Sequence, residues 1–293
     1  MKQAFLNINF GAERQSKLDL CNEIINTYLQ QGLRLTLRQL YYQLVSINAI
    51  PNRERAYKSL GKLVSDARLA GDIDWDAIED RVRIPREPTE FADLAELVDA
   101  AIKAYRLPRW EGQGHYIELW VEKDALSGVL APLASQYHVT LMVNREYSSQ
   151  SAMYEAGQRF NEHSDQDCVL LYLGDHDPSG EDMVRDIADR LRILAYLTPV
   201  KVVKVALTWE QVQRYNPPPN PAKITDSRSN GYIAKYGSEC WEVDALRPDI
   251  LQSLIREAIG QYVNMGLMDW VKDREQEDKA RLKEFIKGLN NGS

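Results

Sequence analysis

One phenol and three carboxylates carry the chemistry this sequence could perform. Glu122 directly follows the apolar run Tyr116-Ile-Glu-Leu-Trp-Val121. Asp175 and Asp177 follow a second run, Val169-Leu-Leu-Tyr-Leu173, within the stretch Asp175-His-Asp-Pro-Ser-Gly180. Acids gathered on separate loops at one edge of a sheet repel one another unless a cation lies among them. A hard ion such as Mg²⁺, with Mn²⁺ as the alternative, suits such an oxygen set and retains water positions for substrate phosphates. The competing reading is that these acids are solvated and cap the helices that follow. Asp175–Gly180 also partly fits a calcium loop, but an apolar run precedes it and Asp186 stands where that loop needs Glu.

The phenol is Tyr42, in Thr36-Leu-Arg-Gln-Leu-Tyr-Tyr42. Thr36 and Gln39 have capping-box spacing, which opens a helix carrying Leu37, Leu40, Tyr41, Leu44 and Val45 on one stripe. At about 100° per residue, Tyr41 falls on that stripe and Tyr42 points roughly 130° from its centre. Arg38, one turn earlier, shares the polar flank with Tyr42. A phenol with an ordinary pKa near ~10 attacks poorly at neutral pH, and a guanidinium beside it favours phenolate character. The alternative is an amphipathic surface tyrosine packed on a neighbour.

These residues need elements to hold them. Residues 18–31 have helical spacing ending at Gly32, the helix after Thr36 is second, and residues 53–70 form a third, ending at Gly71. Asp72–Asp76 is a candidate wing, giving a winged helix-turn-helix; a plain helical bundle with a solvated basic face is the rival. From residue 116 the pattern alternates. Strands at 116–121, 139–143, 169–173 and 202–206 are separated by helices near 125–136, 149–162 and 180–197. Such βαβ order predicts a parallel sheet buried on both faces, with ligands beyond the carboxyl ends of its strands. Pro248 begins a helix, and Trp270–Leu289 is a charged terminal one. The expected organisation is an α/β chain: a winged-helix domain over 1–110, then a metal-binding parallel α/β domain with C-terminal helices over 111–293.

The 293 residues carry a formal charge of −7 and are 44% apolar, an ordinary globular composition. Charge is unevenly spread, for residues 31–70 hold seven basic side chains and two acidic ones. Arg53, Arg55, Lys58, Lys62 and Arg68 lie there, and together with Lys123 they are the candidate DNA contacts. No run approaches 18 consecutive apolar residues and the first residues lack an apolar leader core, so neither a membrane span nor a secretory signal is expected. Cys21, Cys168 and Cys240 are far apart and odd in number, which fits a reducing, cytoplasmic setting. The sequence contains no P-loop and no Gly-x-Ser-x-Gly elbow.

With these residues in view, the chain resembles the topoisomerase VI A subunit and its relative, the meiotic double-strand-break transesterase. Trp120-Val-Glu-Lys123 with Gly174-Asp-His-Asp-Pro-Ser-Gly180 is similar to a Toprim domain. Thr36–Tyr42 is similar to the nucleophile helix of that group, and Trp241-Glu-Val-Asp-Ala-Leu246 to a segment after its Toprim region. The resemblance spans about residues 34–250 and rests on the joint order of short motifs. It implies Tyr42 as the DNA-attacking nucleophile assisted by Arg38, and Glu122, Asp175 and Asp177 as Mg²⁺ ligands. It further implies double-stranded DNA as substrate, a 5′-phosphotyrosyl product, and a homodimer in which each tyrosine works with the partner's metal. His176 stands where the A subunit more often has proline, and Asn144–Ser148 is not a close match. The sequence shows no ATPase module, so strand passage would need a separate ATPase subunit. Two alternatives remain open: a hydrolytic Toprim nuclease without a covalent intermediate, and a non-catalytic DNA-binding protein. The Pro-rich stretch 216–231, with Lys223 and Arg228, is expected to touch DNA or the second subunit. Glu242 and Asp244 are expected to belong to a structural turn, with a supporting role at the site as the lesser reading.

Overall fold

The computed structural model describes residues 2–78, 88–143, 149–221 and 229–290, with no side-chain account beyond 284. Asn144–Ser148, Lys223 and Arg228 lie outside the described residues.

The alternating segment forms a four-stranded sheet of β1 (His115–Val121), β2 (Thr140–Val143), β3 (Asp167–Leu173) and β4 (Val200–Ala206), ordered β2-β1-β3-β4. All three pairings are parallel. Period-two alternation sends Ile117, Leu119, Val121, Val169, Leu171 and Leu173 to one face. There they meet α5 (Ser127–Tyr137) and α10 (Pro248–Gly260). Tyr116, Trp120, Leu170 and Tyr172 point to the other face, against α6 (Gln150–Asn161) and α7 (Pro178–Leu194). Both faces are covered, so the strands read as nearly continuous apolar runs. Glu118 is the exception on β1. Its buried carboxylate accepts from Tyr116 Oη, Trp120 Nε1 and, at 2.7 and 2.9 Å, the Arg159 guanidinium.

The first third is helical: α1 (Ala12–Gln30), α2 (Leu37–Ser46) and α3 (Glu54–Ala70) share a core that includes Leu18, Ile25, Leu40, Leu44, Leu60 and Val64. The capping box is present, with Thr36 Oγ1 accepting from Gln39 N and Gln39 Oε1 from Thr36 N. Gly71, at φ 80°, takes the left-handed conformation that stops α3. Where a wing was expected, residues 71–77 form a turn that buries Ile73 and Ala77, followed by a single bridge from Ile78 to Leu35. The three helices are therefore established, and a winged module is not.

Between the two halves lies α4 (Leu94–Ala104), and after β4 come α8 (Trp209–Tyr215), β5 (Asn220–Pro221), α9 (Ser229–Tyr236) and β6 (Glu239–Cys240). The chain ends in α11 (Met265–Asn290), held to the segment after α4 by buried Glu275, which accepts from Leu107 N and Arg109. Among the described residues no helix is long and apolar enough to cross a membrane.

The halves join through one stitched segment. β6 pairs antiparallel with β5, and Trp241 exchanges backbone hydrogen bonds with His176 at 2.8 and 3.0 Å. The short 3-10 turn Val243–Ala245 then packs on α2, and Ala245 enters the helical core.

Candidate active site

Each acid is placed by the end of an element. Glu122 continues from β1, its backbone N–H donating to Leu173 O. Its Oε2 accepts from Asp175 N at 3.0 Å and from Tyr172 Oη at 3.4 Å. Asp175 follows β3, with Oδ1 accepting from Val243 N at 2.8 Å and Oδ2 lying 2.9 Å from Lys123 Nζ. Asp177 is the N-cap of α7, its Oδ1 accepting from Gly180 N at 2.6 Å. Helix capping, the competing reading for these acids, is realised by Asp177.

Pro178 occupies the first turn of α7, where no N–H is needed. Gly180 is required there because a Cβ would run into the Asp175 carbonyl oxygen.

Two cations lie among the acids. Lys123 Nζ stands 2.9 Å from Glu242 and 3.2 Å from Asp244, besides its contact with Asp175. Arg38, on α2, pairs with Glu242 and places Nε 3.2 Å from Asp244. Three carboxylates, Asp175, Glu242 and Asp244, thus share two cations. Glu122 and Asp177 are held by Asp175 N, Tyr172 Oη and Gly180 N instead. Burial first, then repulsion from Glu122 and Asp244, raise the Asp175 carboxyl to about 7 against the opposing pull of Lys123. Burial would raise Glu242 as well, but Lys123 and Arg38 outweigh it and hold that carboxyl near 2. Tyr172, behind them, is pushed upward by burial and by Glu122, Asp175 and Asp177, so all three predicted ligands act on one hydroxyl.

This donor set is all oxygen, negatively charged in excess, and fits a hard divalent ion in type. Among the described residues, however, no three acid, thiol or imidazole groups are gathered closely enough to hold an ion. The three acids are neighbours at one rim, already engaged by Val243 N, Lys123, Asp175 N and Gly180 N.

Tyr41 and Tyr42 are both buried, at 5% and 2% exposure, in the same helical core and on the same cleft. This corrects the expected division into a core tyrosine and a polar-flank one, because the segment at 242–244 covers α2 on that flank. Tyr41 packs edge-on against Tyr57. Tyr42 turns toward the acids, with the Arg38 guanidinium carbon 5.9 Å from its ring centroid. Its hydroxyl accepts from Asn220 Nδ2 at 3.2 Å. Arg38 acts on the phenol in the expected direction, favouring phenolate, but it does not prevail. Burial, Glu242 and Asp244 raise the Tyr42 pKa and outweigh Asn220 and Arg38, because Arg38 is itself neutralised by the same acids.

Tyr42, Arg38, Asp175, Asp177, Asn220 and Glu242 line one cleft of about 920 Å³. Phenol and acids therefore face the same space within a single chain. Arg53 also lines it, and Arg55 is exposed nearby on α3. Lys58 and Lys62 are exposed too, paired along the helix with Glu54 and Asp66. Arg68 and Lys123 are set apart from this surface. Arg68 lies over the Trp75 ring and donates to the Trp75 and Ile78 carbonyls, and Lys123 is consumed by the acid cluster.

Glu242 and Asp244 sit at the centre of the site rather than in a merely structural turn. Their signal was two acids in Trp241-Glu-Val-Asp-Ala-Leu246; what was invisible was the stitch to His176 that carries them there. Asn52 had no signal, since single asparagines in loops are ordinary turn residues. Asn220 was marked only as part of the Pro-rich stretch 216–231, which here meets Asn52, Tyr42 and Glu242 of its own chain. His176 is buried, with Nδ1 3.1 Å from Glu181 Oε1 and its ring among Trp209, Tyr232, Tyr236 and Trp241. Comparison with protein-family models and with curated proteins gives no match for this chain.

Proposed function

We propose that this protein cleaves double-stranded DNA by tyrosine transesterification, with Tyr42 as nucleophile. The observation that carries the reading is the shared cleft: a phenol on a helix of the basic third opens onto the same space as Asp175 and Asp177, beyond the carboxyl end of β3, and Glu242, while Glu122 stands behind its lining. The carboxyl ends of strands are where open α/β sheets bind ligands. The resemblance to the topoisomerase VI A group supports it, with the helical third acting as a winged-helix reader and the α/β part as a Toprim unit. Exposed Arg55, Lys58 and Lys62, with Arg53 at the rim, supply positive charge for phosphates.

In the reaction, Tyr42 Oη forms a bond to phosphorus while the bond to the 3′ oxygen breaks. The phenolic proton passes to water, because Lys123 and Arg38 keep Glu242 too acidic to take it, and the departing 3′ oxygen takes a proton from water. Glu122, Asp175 and Asp177 would have to close on a Mg²⁺ ion, or Mn²⁺ in its place, for it to neutralise the phosphate oxygens. The product is a 5′-phosphotyrosyl link, which conserves the energy for religation. Two chains acting as a homodimer would make a double-strand break, and a separate ATPase subunit would be needed for strand passage.

The test is supercoiled plasmid incubated with protein and Mg²⁺, stopped with detergent and run with and without protease. Protein-linked 5′ ends that vanish in Tyr42→Phe and persist in Tyr41→Phe are expected. Free 5′-phosphates, unchanged in Tyr42→Phe, would establish the second reading, a hydrolytic nuclease. One observation favours that alternative: the Tyr42 hydroxyl is buried and its pKa is raised. Binding with no cutting under any divalent ion would leave a DNA-binding protein.

A further inference from the structure

Four side chains form a directional hydrogen-bond chain that ends on the Tyr42 oxygen. Tyr41 Oη donates to Asn52 Oδ1 at 2.9 Å. Asn52 Nδ2 donates to the Pro219 carbonyl and, at 3.2 Å, to Asn220 Oδ1. Asn220 Nδ2 donates to Tyr42 Oη at 3.2 Å and to Glu242 Oε1 at 3.3 Å.

Its direction is determined at both ends. An amide group can be turned over in principle, so which atom faces which neighbour must follow from the partners. The Pro219 carbonyl only accepts, which requires the Asn52 NH₂ to face it and leaves Asn52 Oδ1 for Tyr41. The same NH₂ requires Asn220 to present its oxygen to Asn52. At the far end the ionised Glu242 carboxylate only accepts, which independently requires the Asn220 NH₂ to face Glu242 and Tyr42. Turning over Asn52 would set its oxygen against the Pro219 carbonyl and Asn220 Oδ1, and turning over Asn220 would set its oxygen against Glu242 and its NH₂ against that of Asn52.

We propose that Asn220 is a catalytic hydrogen-bond donor to the Tyr42 oxygen, with Asn52 and Tyr41 as the positioning residues that hold its amide in the donating orientation. This rests on Tyr42 being the nucleophile. A donor already aimed at an oxygen that develops negative charge favours the charged form without reorganising. It also opposes the burial and the carboxylates that hold the phenol protonated. The first tyrosine of the Tyr41-Tyr42 pair thereby acquires a role besides its packing on Tyr57. Tyr41, Asn52, Asn220 and Tyr42 all line the cleft, so the chain borders the space a phosphodiester would enter.

The test has two arms on the full-length chain. In the first, 3-fluorotyrosine is placed at position 42 and its ¹⁹F resonance is recorded without DNA. Asn220→Ala and Asn220→Asp shift the resonance, and Tyr41→Phe and Asn52→Ala shift it in the same direction by less. An unmoved resonance in correctly folded Asn220→Ala, judged by circular dichroism, overturns the proposal whatever the protein does to DNA. In the second, single-turnover adduct formation and DNA affinity are measured together. Asn220→Ala is expected to slow adduct formation about 10²–10³-fold, the cost of one lost oxyanion donor, with affinity unchanged. Tyr41→Phe and Asn52→Ala are expected to slow it about 10-fold, as supporting partners do. Equal losses of rate and affinity would assign Asn220 to DNA binding instead and refute the catalytic role. Absence of any adduct in the unmodified protein would sink the nucleophile reading, and the resonance arm would still decide the hydrogen bond.

Discussion

Arg38 on α2 places its Nε 3.2 Å from the Oδ2 of Asp244, a wholly buried carboxylate on the 3-10 turn beyond the sheet. This pair crosses the junction between the helical third and the α/β part. Lys123 approaches Asp244 from the other side at 3.2 Å. Burial raises the Asp244 carboxyl despite both cations, so its charge depends on keeping them.

Loss of Lys123 should therefore cost more than loss of Arg38. Lys123→Met strands Asp175, Glu242 and Asp244 together, and removing one partner of a buried pair costs about 3–5 kcal/mol. The Arg38 side chain is 45% exposed, so water screens its pairs and Arg38→Met should cost roughly 1 kcal/mol. Urea unfolding of both single variants and of the double variant checks the order, and the coupling between them should be non-additive because they share Glu242 and Asp244.

The capping box at the start of α2 positions Arg38 in the first turn and Tyr42 in the second. Thr36→Ala removes the acceptor for Gln39 N and should lower stability by about 1 kcal/mol. Thr36→Ser retains a hydroxyl and should recover most of it. A thermal melt comparing the two separates the cap from any packing of the methyl group.

Gly180→Ala should disturb the acid loop directly. The added methyl meets the Asp175 carbonyl, which belongs to backbone and can yield only by moving the loop between Asp175 and α7. Overpacking of this kind costs roughly 1–3 kcal/mol. Denaturant unfolding measures that cost, and a Gly180→Ala protein as stable as the parent would show that the loop is more accommodating than its contacts imply.

Glu181 should contribute an acid-dependent part of stability. Burial would raise its carboxyl, but His176 and Lys204 prevail and hold it near 2, below its ordinary value of 4.5. A depressed folded-state pKa gives stability that is fully present above the unfolded value and is lost as pH falls from 4.5 toward 2. Glu181→Gln should therefore narrow the stability difference between pH 6 and pH 3 measured by urea unfolding. An unchanged difference would mean that the contacts to His176 and Lys204 do not favour the ionised carboxylate.

The sequence by itself determined the local elements and the ends of the strands. Thr36, Gln39 and Gly71 act on immediate neighbours, so their capping roles follow from spacing alone, whereas Asp177 and Pro178 open α7 two residues before the expected start. The apolar runs that became β1, β3 and β4 are long enough to read directly, and βαβ order made the sheet parallel. Helical periodicity set Tyr41 and Tyr42 at different angles on α2 but did not show that both would be buried. Tertiary structure decided what those residues meet. The bridge between His176 and Trp241 brought Glu242 and Asp244 beneath α2, across more than 200 residues of chain from Arg38. That encounter neutralised Arg38, drew Lys123 into the acids and seated Asn220 on the Tyr42 hydroxyl. The physical reason is range: capping and periodicity act over three or four positions, whereas charge pairing and amide orientation depend on which distant groups share a buried space.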